Sequence, residues 1–573
     1  MHCQNIQIMT SNTLLLACII LLWSYSALPI VSSFTQSPKV DINFEKWVQD
    51  APEEVTSPIL LTVDGTIPSY VQGSLIRNGA AQWGTEKERY AHAFDGFAKI
   101  TKYHIQDGMV RFSSKFVDSK WRRKAIEENT LLQGLTTGPR MNSNLTDTLN
   151  VDLVQALLNS VSYDNVPVNI WGFEGKYYAI TDAPARAWID PKSLQTIQSA
   201  KPPRFARGAN GYEMLSTAHP EYCKKGTGST YNAIVELNPF GNRVSIVKET
   251  NENDREIVAS CIVEEGIPYI HSFGLTETKA FLLLQPLRLG LNDVPNMVKE
   301  GFMATMQQSK KTIAIVMDIE TGKVLVNMKL KEPIYFYHSI SCAEIKTDDG
   351  ASCISLKLCG YKDPDIITGN DMFFRFDRAK TSEGRNRISR GGKLCEVKIH
   401  LDGIHEPKAE VIWMNAVVRN KDGTQSQQGF ELPTHRYSRW CKREDSMDQP
   451  PPWKDGKHPL FAYAYGAYAN ASDNYDAWNL LKINLETGEA ISFRERDSCY
   501  YSEPIFVSDP EGVSEDDGVL LCQRYDGRND SSSLLVICAK SMTLLAEAVT
   551  GIRNPMDFHG MYLKDDNSPT LER

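Results

Sequence analysis

From about residue 60 onward the apolar positions come in short runs broken at regular intervals by Gly, Asn, Asp and Pro. Examples are SLIRNG, AKITKYHI, KYYAITD, AIVELNP, PYIHSFG, AFLLLQP, IAIVMDIETG, VLVNMKL, AEVIWMN, LLKINLETG and GVLLCQRY. Short runs of this kind, some alternating and some continuously apolar, predict strands. The phrases DPKS, NPFGN, IETG, LETG and DDG between them supply the residues that tight turns require. Many short strands with even punctuation predict an all-β closed array. A propeller blade takes about 40–50 residues, so the chain beyond residue 58 has room for a seven-bladed β-propeller with long insertions.

Two stretches carry helical spacing instead. Residues 146–161 place Leu149, Leu153, Val154, Leu157, Leu158 and Val161 on one face, and residues 293–309 do the same with Val294, Met297, Val298, Phe302, Met303 and Met306. Both are expected to lie over one face of the propeller as a helical cap, and packing against the blades is the favoured role. The second stretch is flanked by Lys299, Lys310 and Lys311, so it also offers a face for peripheral membrane contact.

With 573 residues and 42% hydrophobic content, the chain can bury a large core. A formal net charge of −9 argues against a nucleic-acid partner, because phosphate recognition relies on clustered lysine and arginine. The basic run Lys120-Trp121-Arg122-Arg123-Lys124 is read as a solvated face. The apolar stretch LLLACIILLWSYSALPI at residues 14–30, followed by Ser32 and Ser33, predicts a signal peptide or signal anchor over residues 1–32. Interrupted by Ser24, Ser26 and Pro29, it falls short of the about 20 residues of a comfortable span, which favours cleavage. The expected location is the secretory pathway, either secreted or associated with the endoplasmic reticulum or another membrane. Residues 33–58 read as a polar approach segment and residues 59–573 as a single domain. Twelve cysteines without a CxxC pair permit disulfides but do not demand them.

Of the eleven histidines, four stand in strand-like phrases: His219 in TAHPEYC, His271 in IPYIHSFG, His338 in IYFYHSIS and His559 in MDFHGMYL. Their separations of 52, 67 and 221 residues exclude a local metal finger. A shared site needs a fold that returns each segment to one axis. Four neutral imidazoles leave a divalent metal its full charge and fill four corners of an octahedron. That suits Fe(II), although imidazole also serves zinc, copper and nickel. The chain has no GxSxG elbow, no HExxH helix and no dinucleotide fingerprint.

Several phrases, taken in order, resemble the carotenoid cleavage oxygenase family, which spans carotene dioxygenases and a retinoid isomerohydrolase. They are VQGSLIRNG from Val71, HAFDGFAKI from His92, NIWGFEGKYYAITD ending at Asp182, GFELP from Gly429 and SEPIFVSDP from Ser502, interleaved with the four histidine phrases. The resemblance implies a seven-bladed β-propeller with His219, His271, His338 and His559 on Fe(2+). It also implies three carboxylates behind the histidines. Glu431 and Glu503 match by motif, while Asp182 stands where the family usually has glutamate. Aspartate is one methylene shorter, so its backbone must come closer or a water must bridge. Restoring glutamate there is expected to preserve or raise activity.

The activity implied is that of an Fe(II) dioxygenase taking dioxygen and a lipophilic polyene, and cleaving one double bond of a carotenoid or apocarotenoid into aldehyde or ketone fragments. The alternatives are an isomerohydrolase-like enzyme on a polyene ester and a non-catalytic secreted lipid-binding propeller. Candidate tunnel-lining residues are Tyr269, Phe273, Tyr335, Phe336, Tyr337 and Phe558.

Overall fold

Strand Gly73–Gln82, which begins the first signature phrase, is buried along nearly its whole length. This fits a strand covered on both faces and paired on both edges. One edge pairs antiparallel with Phe97–Gln106 and the other with Asp557–Lys564, the last of the described strands. Phe97–Gln106 turns back into Met109–Phe116 through Asp107 and Gly108. Both turn residues have positive φ, 52° and 76°, as a two-residue hairpin of matching twist requires. Met109–Phe116 pairs with Val55–Gly65, which in turn pairs with Thr543–Val549 from the C-terminal end. The result is a ten-stranded sheet in which the first and last of the described strands are interleaved.

The molecule is a computed structural model. It describes residues 44–565 apart from 133–135, 139, 142–159, 161, 174, 224–228, 239–240, 252–253, 264–265, 291–293, 309–310, 347–351, 369–390, 402–406, 420–422, 435–457, 469–477, 496–497 and 555–556. Between the two halves of the ten-stranded sheet run successive antiparallel meanders. They begin at Asn169–Phe173, Tyr212–Ser216, Gly274–Leu275, Ser339–Lys346 and Ala416–Arg419, and the last of them closes on itself through parallel pairing with Glu489–Phe493. The architecture is all-β, as the punctuation of the sequence predicts. One apolar cluster extends from Trp47 through Tyr269 and Tyr337 to Phe558, and separate clusters fill the spaces between sheets.

Two expectations change. The segment expected as a polar approach already belongs to the folded unit. Its helix Phe44–Trp47 buries Trp47 to 1% exposure, stacked on Tyr500 and edge-on to Trp478, and strand Val55–Gly65 starts within it. The helix expected over residues 293–309 is short, Val294–Glu300, because Gly301 leaves helical space at φ 87°. Its backbone there abuts Thr137 and Gly138, and Phe302 N–H donates to the Thr136 carbonyl at 2.9 Å. The apolar stripe turns inward: Met297, Val298, Met303 and Met306 are buried, leaving Pro295, Asn296, Lys299 and Glu300 exposed. The stripe thus packs against the interior, the favoured role for this stretch. The other expected helix, residues 146–161, lies almost wholly outside the described residues, as does the leader. Among the described residues no helix is long and apolar enough to cross a membrane.

Candidate metal centre

Each histidine sits at or near the start or end of a strand. His219 follows Tyr212–Ser216, His271 lies between Ile267–Pro268 and Gly274–Leu275, His338 immediately precedes Ser339–Lys346, and His559 lies within Asp557–Lys564. Neighbouring side chains hold these segments to one another. Ser272 Oγ donates to the Tyr337 carbonyl at 2.6 Å and accepts from Ser339 N–H at 2.8 Å, while Ser339 Oγ donates to the Phe273 carbonyl at 3.0 Å. The serines of the two His-Ser phrases thus lash the second and third histidine segments together. His559 N–H donates to the Val168 carbonyl at 3.2 Å, and Asn78 donates to the Val166 and Asn169 carbonyls.

The four rings converge, all at least 95% buried. Nε2 of His219 is 3.0 Å from that of His271, His271 is 3.2 Å from His338, and His338 is 3.1 Å from His559. All four ligand atoms lie within 4.8 Å of one another. Behind the rings stand the carboxylates: Asp182 Oδ2 at 2.7 Å from His271 Nδ1, Glu431 Oε1 at 2.6 Å from His338 Nδ1, and Glu503 Oε1 at 3.1 Å from His559 Nδ1. The Asp182 contact is direct.

The protonation pattern follows. A carboxylate can only accept, so each of these three Nδ1 atoms carries the proton and each Nε2 presents a lone pair. Burial pushes His338 below the ordinary imidazole value, while Glu431 opposes the shift. Lone pairs facing one another at 3.0–3.2 Å repel unless a cation lies among them. With metal–nitrogen bonds of about 2.1 Å, adjacent octahedral corners are about 3.0 Å apart and tetrahedral corners about 3.4 Å. The spacings observed match the former, and the donor set fits a divalent metal.

Sequence reasoning did not assign roles to several residues found here. Arg77 is fully buried within the first signature phrase. It donates to Glu503 Oε2 at 2.8 Å, to Asp557 Oδ1 at 2.6 Å and to the Phe558 carbonyl at 3.0 Å. Gln523 donates to the other oxygen of Asp557 at 2.8 Å. Tyr361 donates to Glu431, and Tyr269 donates to Asp182 at 2.7 Å. Position two before the fourth histidine is the one local signal that could have singled out Asp557.

An aromatic wall adjoins the rings. Tyr337 lies 5.1 Å from the His271 ring centroid, and Phe94 stands edge-on to Tyr337 and Phe558 at 6.0 and 5.1 Å. Tyr269 lies 6.4 Å from both Phe302 and Tyr337. Phe94 and Phe302 are half-buried. Of the expected lining residues, Tyr269, Tyr337 and Phe558 are in this wall. Phe336 packs between neighbouring sheets, and Tyr335 pairs with Tyr361 through the backbone. Phe273 is fully buried in the same apolar cluster as the wall, directly after Ser272.

A buried cluster of histidines with metal-ligand spacing, backed by carboxylates, on an all-β array of meanders defines a class of β-proteins with a candidate metal centre. Residues 48–564 match the retinal pigment epithelial membrane protein family, and the chain belongs to that family. It is similar to the β,β-carotene 15,15′-dioxygenase of Rattus norvegicus, 25% identical over 90% of each chain. It is also similar to the carotenoid isomerooxygenase of Galleria mellonella, 26% identical over 90% of this chain and 96% of that one. A solved Synechocystis apocarotenoid oxygenase variant superposes with a TM-score of 0.70 at 18% identity, covering 91% of this chain and 98% of that one. The cobalt-substituted form of that enzyme gives 0.70 at 19% identity with the same coverage.

Proposed function

We propose that this chain is a non-haem Fe(II) dioxygenase that cleaves a carbon–carbon double bond of a carotenoid or apocarotenoid to give aldehyde or ketone fragments. The observation that carries the reading is the convergence of four buried Nε2 atoms with edges of 3.0–3.2 Å. Relatives named as carotene and carotenoid dioxygenases, matched over nine-tenths of the chain, supply the substrate class. In this reading the meanders form seven blades around the metal.

His219, His271, His338 and His559 would hold the ion, and bound Fe(II) supplies activation of dioxygen. Asp182, Glu431 and Glu503 keep Nδ1 protonated on three of the rings and so keep their Nε2 atoms available. Phe94, Tyr337, Phe558 and Tyr269 offer flat apolar surface beside the rings, which orients a polyene and excludes water from reactive intermediates. Arg77 offsets part of the negative charge collected at Glu503 and Asp557. The apolar stretch at residues 14–30 supports routing through the secretory pathway, tested by sequencing the mature N-terminus of the expressed protein.

The deciding experiment is metal analysis of protein purified without added metal, then anaerobic Fe(II) reconstitution and product mass spectrometry under labelled dioxygen with a carotenoid mixture. One equivalent of iron and labelled carbonyl fragments support the reading. Iron with isomerised, unlabelled products would replace it with isomerohydrolase chemistry. Failure of correctly folded protein to bind iron would sink it in favour of a binding propeller.

A further inference from the structure

The shorter carboxylate at position 182 does more than orient one ring. Asp182 Oδ2 faces His271 Nδ1 and accepts from the Tyr269 hydroxyl, both at 2.7 Å, while Oδ1 accepts from the backbone N–H of Ala218 at 3.0 Å. Ala218 immediately precedes His219. Its carbonyl is held as well, accepting from Asn169 Nδ2 at 2.8 Å. The backbone of Asp182 is fastened to the same segment, since its carbonyl accepts from Ser216 N–H at 2.9 Å. Ala218 is fully buried, so no solvent is at hand to satisfy its N–H should the carboxylate move away.

The geometry points to Asp182 as a positioning residue that clamps two adjacent metal ligands at once, His271 through the side chain of that ligand and His219 through the main chain before it. The inference rests on the four-histidine reading and deepens it. Because the backbone at 182 is pinned beside Ser216, a side chain one methylene longer cannot hold both contacts at their present lengths without a shift. A glutamate must either push the His271 ring off its axis or leave Ala218 N–H unsatisfied. Aspartate here is a requirement of the local geometry, and glutamate is not its equivalent, contrary to the expectation drawn from the family pattern alone.

Asparagine separates the two contacts. It keeps an oxygen for Ala218 N–H but turns an amide N–H toward His271 Nδ1. That favours the tautomer protonated on Nε2, which cannot bind metal.

The test uses the full chain with Co(II) as probe, read by its visible ligand-field spectrum, and follows hydrogen exchange of the metal-free protein over the peptide spanning residues 214–220. Asp182→Glu is expected to weaken Co(II) binding about tenfold or more, to shift the spectrum and to speed exchange at that peptide. The peptide containing His559 should exchange as in the wild type. Asp182→Asn is expected to lose Co(II) yet retain slow exchange at residues 214–220, and it decides the question if the glutamate variant does not fold. Binding by Asp182→Glu within about threefold of wild type, with unchanged exchange, would overturn the clamp. So would fast exchange in Asp182→Asn. Failure of wild-type protein to bind Co(II) would instead strike the metal reading itself, while the exchange data would still report on the contact to Ala218.

Discussion

Arg77 links the fourth histidine to the rest of the core, and its removal has a defined cost. Arg77→Met deletes the counter-charge facing Glu503 and Asp557, both of them buried. Breaking such a pair from one side costs about 3–5 kcal/mol, to be read from equilibrium denaturation. Metal content should fall with it, because Glu503 then orients His559 without support. A second residue sets a pH dependence. Asp95 accepts from Thr137 and Gly138 N–H at 2.7 and 2.8 Å, yet burial raises its carboxyl to about 7. The folded state therefore holds a proton that the unfolded chain releases near the ordinary value of 3.8. Its contribution to stability is fully present at low pH, declines as pH rises toward about 7 and is flat above. Asp95→Asn should remove that slope from melting temperature against pH, and equal slopes would refute the assignment. At this scale the four histidines and the carboxylates Glu431 and Glu503 were legible, because ordered phrases carry them. The contacts of Arg77 were not, since its partners lie 426 and 480 residues away and no local pattern connects them.

Among the elements, the short helix Val294–Glu300 shows how a single backbone angle overrides periodicity. Apolar spacing continues to Met306 and predicts helix, but Gly301 at φ 87° ends the helix and sends Phe302 toward Tyr269. Hydrophobic period registers which side chains face the core and is blind to a glycine's sign of φ. The inward face was therefore legible and the helix end was not. Gly301→Ala places a Cβ against the Thr137 carbonyl and Gly138 Cα and adds left-handed strain of about 1–2 kcal/mol. Lower stability in urea titration is expected, together with a raised KM for the polyene as Phe302 shifts. Metal content should stay at the wild-type level. Strands were the easier part, because alternation and turn residues are local. Their partners are not: nothing in VTSPILLTVDG, the sequence of strand Val55–Gly65, announces that it will bridge Met109–Phe116 and Thr543–Val549.

On the scale of the whole molecule, the histidines come from four separate segments, so the unfolded chain presents no preformed site. A metal held by the four would bind the native state alone and stabilise it, by about 2.7 kcal/mol when free metal is a hundredfold above its dissociation constant. Calorimetry should show a higher melting temperature with Fe(II) than without, and His338→Ala should abolish the increment. The fourth ligand has a further consequence. His559 stands on Asp557–Lys564, the strand that docks beside Gly73–Gln82 and follows the segments of the other three histidines in the chain. During translation the first three histidines leave the ribosome well before their partner exists, and a chain stopped short of residue 557 lacks both the closing strand and a complete set of donors. A chain cut before residue 557 is therefore expected to lose metal on gel filtration, and the same few residues serve as the latch of the sheet and the fourth donor of the histidine cluster.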